Sequence, residues 1–210
     1  NTLASRTSIH LGLKGPTHTL CGFSGVPSAL FEVARGMLDS GDADFVLTAA
    51  GEEVSEVLRH VVCRKTACGA FPNRTASSFA EGGEGVCVFK PGEGVAALLL
   101  SRESIRSDLK HAVRLTLETR RLESVSDVKR VPAAKAVFQT LGIAPRDIRL
   151  AKRLERRIPV FSHADWFGHF PGNAMQEIAL AAQCLRNKTI PKGVEGEEIA
   201  LPPGSMIHCV

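Results

Sequence analysis

The 210-residue sequence predicts an α/β fold, and three stretches carry this prediction. Residues 15–47 have the pattern of a strand, a sharp turn, a helix that ends at Ser40, and a second strand that starts at Phe45. The apolar run Val95–Leu100 is typical of a buried strand. In Met175–Leu185, apolar residues recur at three- and four-residue intervals, as in an amphipathic helix. Alternating strands and helices of this kind are typical of α/β proteins.

The first of these stretches has Ser24 at the apex of its turn. Pro27 falls in the first turn of the following helix, where its missing N–H removes no helical bond, and Gly41 predicts the end of the helix. The apolar face of this helix consists of Ala29, Leu30, Val33, Ala34, Met37 and Leu38. A side chain at such an apex faces the positive end of the helix dipole, which stabilises developing negative charge. The same pattern also fits an ordinary helix–strand crossover in which Ser24 is only a turn residue.

The other elements follow from composition and from breaker residues. The sequence predicts a short amphipathic segment at Asn1–Leu13, a helix at Val54–Val62, a loop at Lys65–Gly85, a helix at Pro132–Leu141, and strands at Ile158–Ser162 and Ser205–Val210. The glycines of Gly92-Glu93-Gly94 do not predict a phosphate loop. Neither a following Gly-Lys-Ser/Thr nor the GxGxxG spacing is present.

Composition narrows the class of protein. Hydrophobic residues make up 44% and charged residues 23% of the chain, which is typical of a globular domain. No apolar run is long enough to cross a bilayer, so we expect no membrane span. The six cysteines lie mostly within apolar patterns, which predicts free, buried thiols and a reducing, cytoplasmic location. Cys63 and Cys68 have no second pair at zinc-finger spacing, so we expect no metal.

The positive charge is concentrated in residues 102–157, which hold fifteen Lys and Arg against seven Asp and Glu. This net charge of +8 favours an acidic partner. No recognised nucleic-acid-binding motif accompanies it, so we expect no nucleic-acid partner. A solvated helical face is the alternative interpretation.

Several motifs resemble those of β-ketoacyl-acyl-carrier-protein synthases, which have the thiolase fold. Gly15-Pro16 and Gly41-Asp42-Ala43-Asp44 resemble the two ends of their nucleophile region, with no gap between them. Gly92-Glu93-Gly94 before an apolar strand, and Gly168-His169 before a helix, resemble two further family segments. The resemblance implies a thiolase-like, layered α-β-α-β-α architecture that is incomplete relative to a full-length synthase.

The same resemblance implies a domain organisation and a site. Residues 1–103 would form part of the N-terminal thiolase-like half, and residues 104–210 part of the C-terminal half. The implied catalytic positions are Ser24, at the nucleophile position, and His169, a retained active-site histidine. The implied substrate-binding residues are Phe23, Gly168 and Phe170.

Three departures from the family pattern affect the chemistry. The nucleophilic cysteine falls on Ser24, and not on Cys21 three residues earlier. The family's lysine falls on Ala164, and its His-Gly-Thr segment is replaced by residues 149–157. A serine hydroxyl is essentially undissociated at neutral pH, whereas a thiol has an accessible thiolate, so Ser24 is a poor substitute in this reaction.

We therefore predict a β-ketoacyl synthase-like subunit that does not condense. It resembles a chain length factor, which shapes the acyl tunnel of a partner synthase in polyketide, polyene or fatty-acid biosynthesis. The implied partners are an active ketosynthase (a heterodimer) or a second copy (a homodimer), joined through the strand before Ser24, and an acyl carrier protein. No cofactor would be bound, because acyl groups arrive on the carrier's phosphopantetheine.

Two alternatives leave open whether the chain is an enzyme. The first is an active acyltransferase or decarboxylase that uses Ser24 and His169. The second is a docking scaffold whose basic stretch binds an acidic carrier protein.

Overall fold

A computed structural model describes residues 2–22, 26–53, 55–57, 92–105, 112–116, 134–138, 160–161, 163–168, 173–191 and 198–209. The helices of these residues are α1 (Thr2–Leu11), α2 (Val26–Ser40), α3 (Ala164–Phe167) and α4 (Asn173–Asn187). The strands are β1 (Phe45–Glu52), β2 (Gly94–Ser101), β3 (Ala134–Phe138), β4 (Val160–Phe161), β5 (Thr189–Pro191), β6 (Glu198–Ala200) and β7 (Met206–Cys209). A single 3-10 turn, Glu103–Ile105, follows β2 among these residues.

β1 and β2 form an antiparallel ribbon that pairs along its full length, from Phe45 opposite Ser101 to Glu52 opposite Gly94. Side chains alternate between its two faces. Helices α2 and α4 both contact the ribbon. Thr48 is buried, and its hydroxyl donates to the carbonyl oxygen of Leu98 at 3.0 Å. The polar group of that side chain is therefore satisfied within the sheet.

β3 lies at the centre of a second sheet, with β4 on one side and β7 on the other, and both pairings are parallel. β5 and β6 form a short antiparallel pair. Helix α4 contacts the ribbon of β1 and β2 and also β3, β5 and β7. One helix thus packs against strands of all three sheets, which is the layering expected of this α/β fold.

The core is built mainly from these two long helices. α2 buries Phe31, Ala34 and Leu38 at helical spacing. The other half of the core is a cluster formed by Ala181, Cys184, Ile190 and Leu201. The face predicted for α2 is confirmed only in part, because Ala34 and Leu38 are buried but Ala29 is exposed, and Phe31, which lies outside the predicted face, is buried. In the predicted face of α4 only Met175 is buried, and the other buried apolar residues are Ala181 and Cys184.

Most of the predicted elements are confirmed, with small shifts at their ends. The helix after Ser24, the strand after Asp44, the apolar strand after Gly92, the helix after His169 and the terminal strand are all present. Of the predicted helix Val54–Val62 the structure describes residues 55–57, and the loop predicted at Lys65–Gly85 lies outside the described residues.

The helix predicted at Pro132–Leu141 is wrong, because Ala134–Phe138 form strand β3. This segment contains good helix formers, but it pairs with β4 and β7 along both edges. Hydrogen bonds and packing from two neighbours outweigh a local propensity of a few tenths of a kcal/mol per residue.

The strand predicted before Ser24 is also wrong. Residues 16–22 have no regular secondary structure and are exposed. A strand requires a neighbour to share its hydrogen bonds, and these residues pair with none of the strands that the structure describes. The dimer contact assigned to this segment stays a prediction.

Candidate functional site

Four of the five predicted site residues lie outside the described residues: Phe23, Ser24, His169 and Phe170. Gly168 is described and is buried, with φ of 76°. This left-handed conformation favours glycine over residues with a side chain. The described elements that lie next to the two predicted catalytic positions in the chain are helices α2, α3 and α4.

Helix α2 begins at Val26, two residues after Ser24 in the chain. Pro27 in its first turn is buried, as suits a residue with no N–H to donate at this end of a helix. Gly41, which follows the helix, has φ of 80° and donates its N–H to the carbonyl of Leu38 at 3.3 Å. The helix therefore starts and stops where the sequence predicts.

The chain passes Gly168 in close contact with the start of β2. A Cβ atom on Gly92 would collide with the carbonyl oxygen of Phe167 and with Cα of Gly168. Gly92 is buried, so no space is available to relieve such a collision. Only glycine allows the two backbones to approach this closely.

Gly94, the first residue of β2, lies close to helix α4. A Cβ atom at this position would overlap the side-chain amide nitrogen of Gln176. Gly92 thus brings the chain before β2 against the backbone before His169, and Gly94 lies against the Gln176 side chain of α4. The Gly-Glu-Gly motif thus has a structural reason that the sequence alone did not supply.

A buried pair of titratable side chains lies beside this contact, and the sequence analysis missed it. Nδ1 of His163 lies 2.8 Å from Oε2 of Glu177, with 3% and 0% of the two side chains exposed. The backbone N–H of His163 donates to the other carboxylate oxygen at 3.0 Å. The two residues are fourteen positions apart, so no helical or strand periodicity links them.

Two aromatic rings, those of Trp166 and Phe167, lie close to the His163 ring. The Trp166 ring meets the His163 ring edge to face, with centroids 4.8 Å apart, and the Phe167 ring lies 6.2 Å from Trp166. These distances are in the range of favourable aromatic contacts. The aromatic side chains of the segment that precedes His169 therefore pack against one another.

Two cysteines, Cys184 and Cys209, lie near Glu177, and neither can replace a cysteine nucleophile. Burial raises the pKa of Cys184 to about 11 and the pKa of Cys209 to about 12, and the nearby Glu177 carboxylate adds to both shifts. Both thiols therefore stay protonated near neutral pH, and a protonated thiol is a weak nucleophile. Cys21, which precedes the Ser24 turn, is exposed.

Comparisons with known proteins establish the family. The profile of the β-ketoacyl synthase N-terminal domain matches residues 1–105, which is half of the chain. The chain belongs to the β-ketoacyl synthase family. No curated protein sequence matches it significantly.

Solved structures support the same fold. The oxazolomycin ketosynthase domain OzmH KS8 of Streptomyces albus JA3453 superposes with a TM-score of 0.58 at 15% identity, over 96% of this chain and 62% of that chain. Domain OzmH KS7 of the same source gives 0.61 at 20% identity, over 98% and 42%. Ketosynthase twelve of the bacillaene polyketide synthase from Bacillus amyloliquefaciens gives 0.58 at 13% identity, over 99% and 46%.

These similarities confirm the predicted thiolase-like α/β fold. The chain spans 62% of the first of these structures and less than half of the other two, so it is incomplete relative to them. At these identities the structures show the fold alone.

The described residues contain neither a membrane-spanning helix nor a metal-binding cluster. None of their helices is both long and apolar enough to span a bilayer. No cluster of three or more His, Cys, Asp or Glu side chains suited to a metal ion occurs in this part of the chain.

Proposed function

We propose that this chain is a synthase-like subunit that does not condense acyl groups itself and that shapes the acyl tunnel of a partner ketosynthase. The observation that carries this proposal is a contrast between scaffold and chemistry. Gly92 and Gly168 keep a close backbone contact next to the predicted site, whereas the nucleophile position implied by the family pattern falls on Ser24. Selection for a scaffold accounts for both facts.

The chemistry of condensation supports the same conclusion. The reaction needs a thiolate to hold the acyl chain and hydrogen-bond donors to stabilise an enolate. The family's lysine position holds Ala164, and its His-Gly-Thr segment is replaced. Cys184 and Cys209 remain protonated near neutral pH, so neither supplies the missing thiolate.

An open apolar surface supports association with another polypeptide. On one face of the ribbon formed by β1 and β2, Phe45, Leu47, Val95 and Leu99 are exposed, and Val95 and Leu99 are 75% and 63% accessible. Exposed apolar clusters often mark protein interaction sites. In this proposal an active ketosynthase or a second copy binds the subunit, and a carrier protein presents the acyl group on phosphopantetheine.

The decisive experiment is a condensation assay with acyl-carrier and malonyl-carrier proteins. The chain alone should give no β-ketoacyl product, and its addition to a partner ketosynthase should change the length of the product. Product from the chain alone would overturn the proposal. A control with Ser24→Ala in the mixed assay should leave product length unchanged, because Ser24 has no nucleophilic part in this mechanism.

An acyl adduct test separates the enzyme alternative. The chain is incubated with a radiolabelled acyl thioester and then mapped by mass spectrometry. We expect no adduct on Ser24. A stable ester at Ser24 that is lost in Ser24→Ala would favour an acyltransferase instead.

The concentration of positive charge favours carrier docking as a second role. Residues 102–157 carry a net charge of +8. Reversing the charges of Arg153, Arg156 and Arg157, which lie outside the described residues, should weaken salt-sensitive carrier binding. The Ser24→Ala control should bind as the native chain does. If the charge-reversed chain binds the carrier protein as well as the native chain does, the docking role is wrong.

A further inference from the structure

We propose that Glu177 and His163 are positioning residues that fix the segment leading to His169. The inference extends the proposed function, because it assigns a role to residues outside the family motif at the same site. It depends on contacts among residues 163–168, Gly92 and helix α4.

First, burial of the Glu177 side chain is unfavourable unless its polar atoms have partners. Its side chain is fully buried, and a buried carboxylate costs several kcal/mol unless hydrogen bonds and charge satisfy it. One carboxylate oxygen accepts the backbone N–H of His163, and the other lies against the ring nitrogen Nδ1 of the same residue. Glu177 therefore holds both the backbone and the ring of one residue.

The second step leads from His163 to helix α3. The carbonyl oxygen of His163 accepts the N–H groups of Trp166 at 2.9 Å and of Phe167 at 3.2 Å. α3 has only four residues and is too short to be stable by itself. Its position therefore follows from the position of His163, and the edge-to-face contact with Trp166 fixes the ring as well.

The third step is the exit from α3. Phe167 and Gly168 are in backbone contact with Gly92, so the segment is held from a second side. The next residue in the chain is His169. The path from α4 through Glu177, His163 and α3 thus determines where the chain enters the predicted catalytic position.

The protein contains its own reporter for this arrangement. Trp166 is its one tryptophan, and its ring contacts His163. Intrinsic fluorescence therefore measures the environment of the proposed positioning pair and requires no label. Acrylamide quenching adds a measure of solvent access to the same ring.

The first arm of the experiment compares Glu177→Ala with Glu177→Gln and Leu38→Ala. Glu177→Gln keeps an acceptor for the His163 N–H, whereas Leu38→Ala removes a buried side chain of α2 far along the chain from the pair. Trp166 in Glu177→Ala should become about twofold more accessible to acrylamide, because α3 loses its anchor. Glu177→Gln should show a smaller change and Leu38→Ala none.

The second arm measures binding of a medium-chain acyl-pantetheine thioester by calorimetry. Glu177→Ala should bind about tenfold more weakly than the native chain, while Leu38→Ala should bind like it. Unchanged Trp166 fluorescence in Glu177→Ala, or an equal change in Leu38→Ala, would overturn the inference. If Glu177→Ala does not fold, Glu177→Gln and Glu177→Asp test the inference in its place, through acrylamide quenching of Trp166 and thioester binding. A native chain that binds no thioester would contradict the proposed function, whereas the fluorescence arm would still decide the positioning role.

Discussion

Helices α2 and α4 are equal in length, and each follows a predicted catalytic position, but they are anchored in different ways. α2 buries Pro27, Phe31, Ala34 and Leu38, which are all apolar. α4 buries Met175, Ala181 and Cys184 together with the charged Glu177. Apolar packing is non-directional, whereas a buried carboxylate requires particular partners at particular distances. The comparison suggests that the α2 side tolerates repacking and that the α4 side depends on one contact.

The largest expected effect on stability comes from Glu177, the buried charged residue of α4 that has no counterpart in α2. Glu177→Ala should lower the free energy of unfolding by about 3–5 kcal/mol, because it leaves buried polar groups of His163 without their partner. Urea unfolding followed by circular dichroism measures this loss. Glu177→Gln is the matched control and should cost less. A loss below about 1 kcal/mol would remove the distinction between the helices.

Two glycine substitutions extend the comparison to backbone packing. Gly92→Ala should destabilise by about 1–3 kcal/mol, since its Cβ would collide with the backbone of residues 167–168. Gly36→Ala in α2 has open space around its Cβ and should instead stabilise by about 0.5–1 kcal/mol. Thermal unfolding should show a lower melting temperature for Gly92→Ala and a higher one for Gly36→Ala than for the native chain. Shifts of the same sign would contradict the packing described on the α4 side.

The thiols of Cys184 in α4 and Cys209 in β7 predict a loss of stability in alkaline solution. The pKa of Cys184 rises from 9.0 to about 11 and that of Cys209 from 9.0 to about 12 on folding. Above pH 9 the unfolded chain releases these protons while the folded chain retains them, so stability falls as pH rises. We expect a loss on the order of 1 kcal/mol per thiol by pH 10.

Urea unfolding at pH 8 and pH 10 measures this dependence. Cys184→Ala should reduce the difference between the two pH values, whereas Cys21→Ala, at an exposed position, should not. Iodoacetamide with mass mapping adds an independent check, because Cys21 should react in the folded protein and Cys184 only after unfolding. Equal reactivity of the two thiols would contradict their assigned environments.

The smallest effect is expected at the surface next to α2. Arg102 lies 3.0 Å from Asp44, and both side chains are substantially exposed. Exposed ion pairs contribute about 0–1 kcal/mol because solvent and salt screen them. Asp44→Asn should therefore change the free energy of unfolding by less than about 1 kcal/mol, and still less in high salt. A larger loss of unfolding free energy, measured by urea unfolding, would show that the α2 side also depends on one specific contact.

Apolar periodicity predicted the parts of the fold that depend on it. The helix from Val26 to Ser40, its stop at Gly41 and the strand Gly94–Ser101 follow from local spacing and breaker residues. Periodicity failed at Ala134–Phe138, where pairing on both edges decides the conformation. It also failed at residues 16–22, which pair with none of the described strands.

The candidate site divides in the same manner. The family motifs identified Gly168 and Gly92, and the close contact of their backbones supplies the physical reason. The pair of His163 and Glu177 has no local signature, because the two residues belong to different elements. The pair is recognised by its burial and by the contact between its side chains, and neither property is visible in the sequence. The predicted roles of Ser24 and His169 remain predictions.

The sequence alone determined the family and the two long helices, because these are properties of local residue patterns. Tertiary structure decided that residues 134–138 are a strand, that Gly92 lies against Gly168, and that Glu177 holds His163. Those facts depend on segments far apart in the chain that meet only when the sheets and helix α4 assemble. Their energies come from shared hydrogen bonds and close packing, which no single segment possesses by itself.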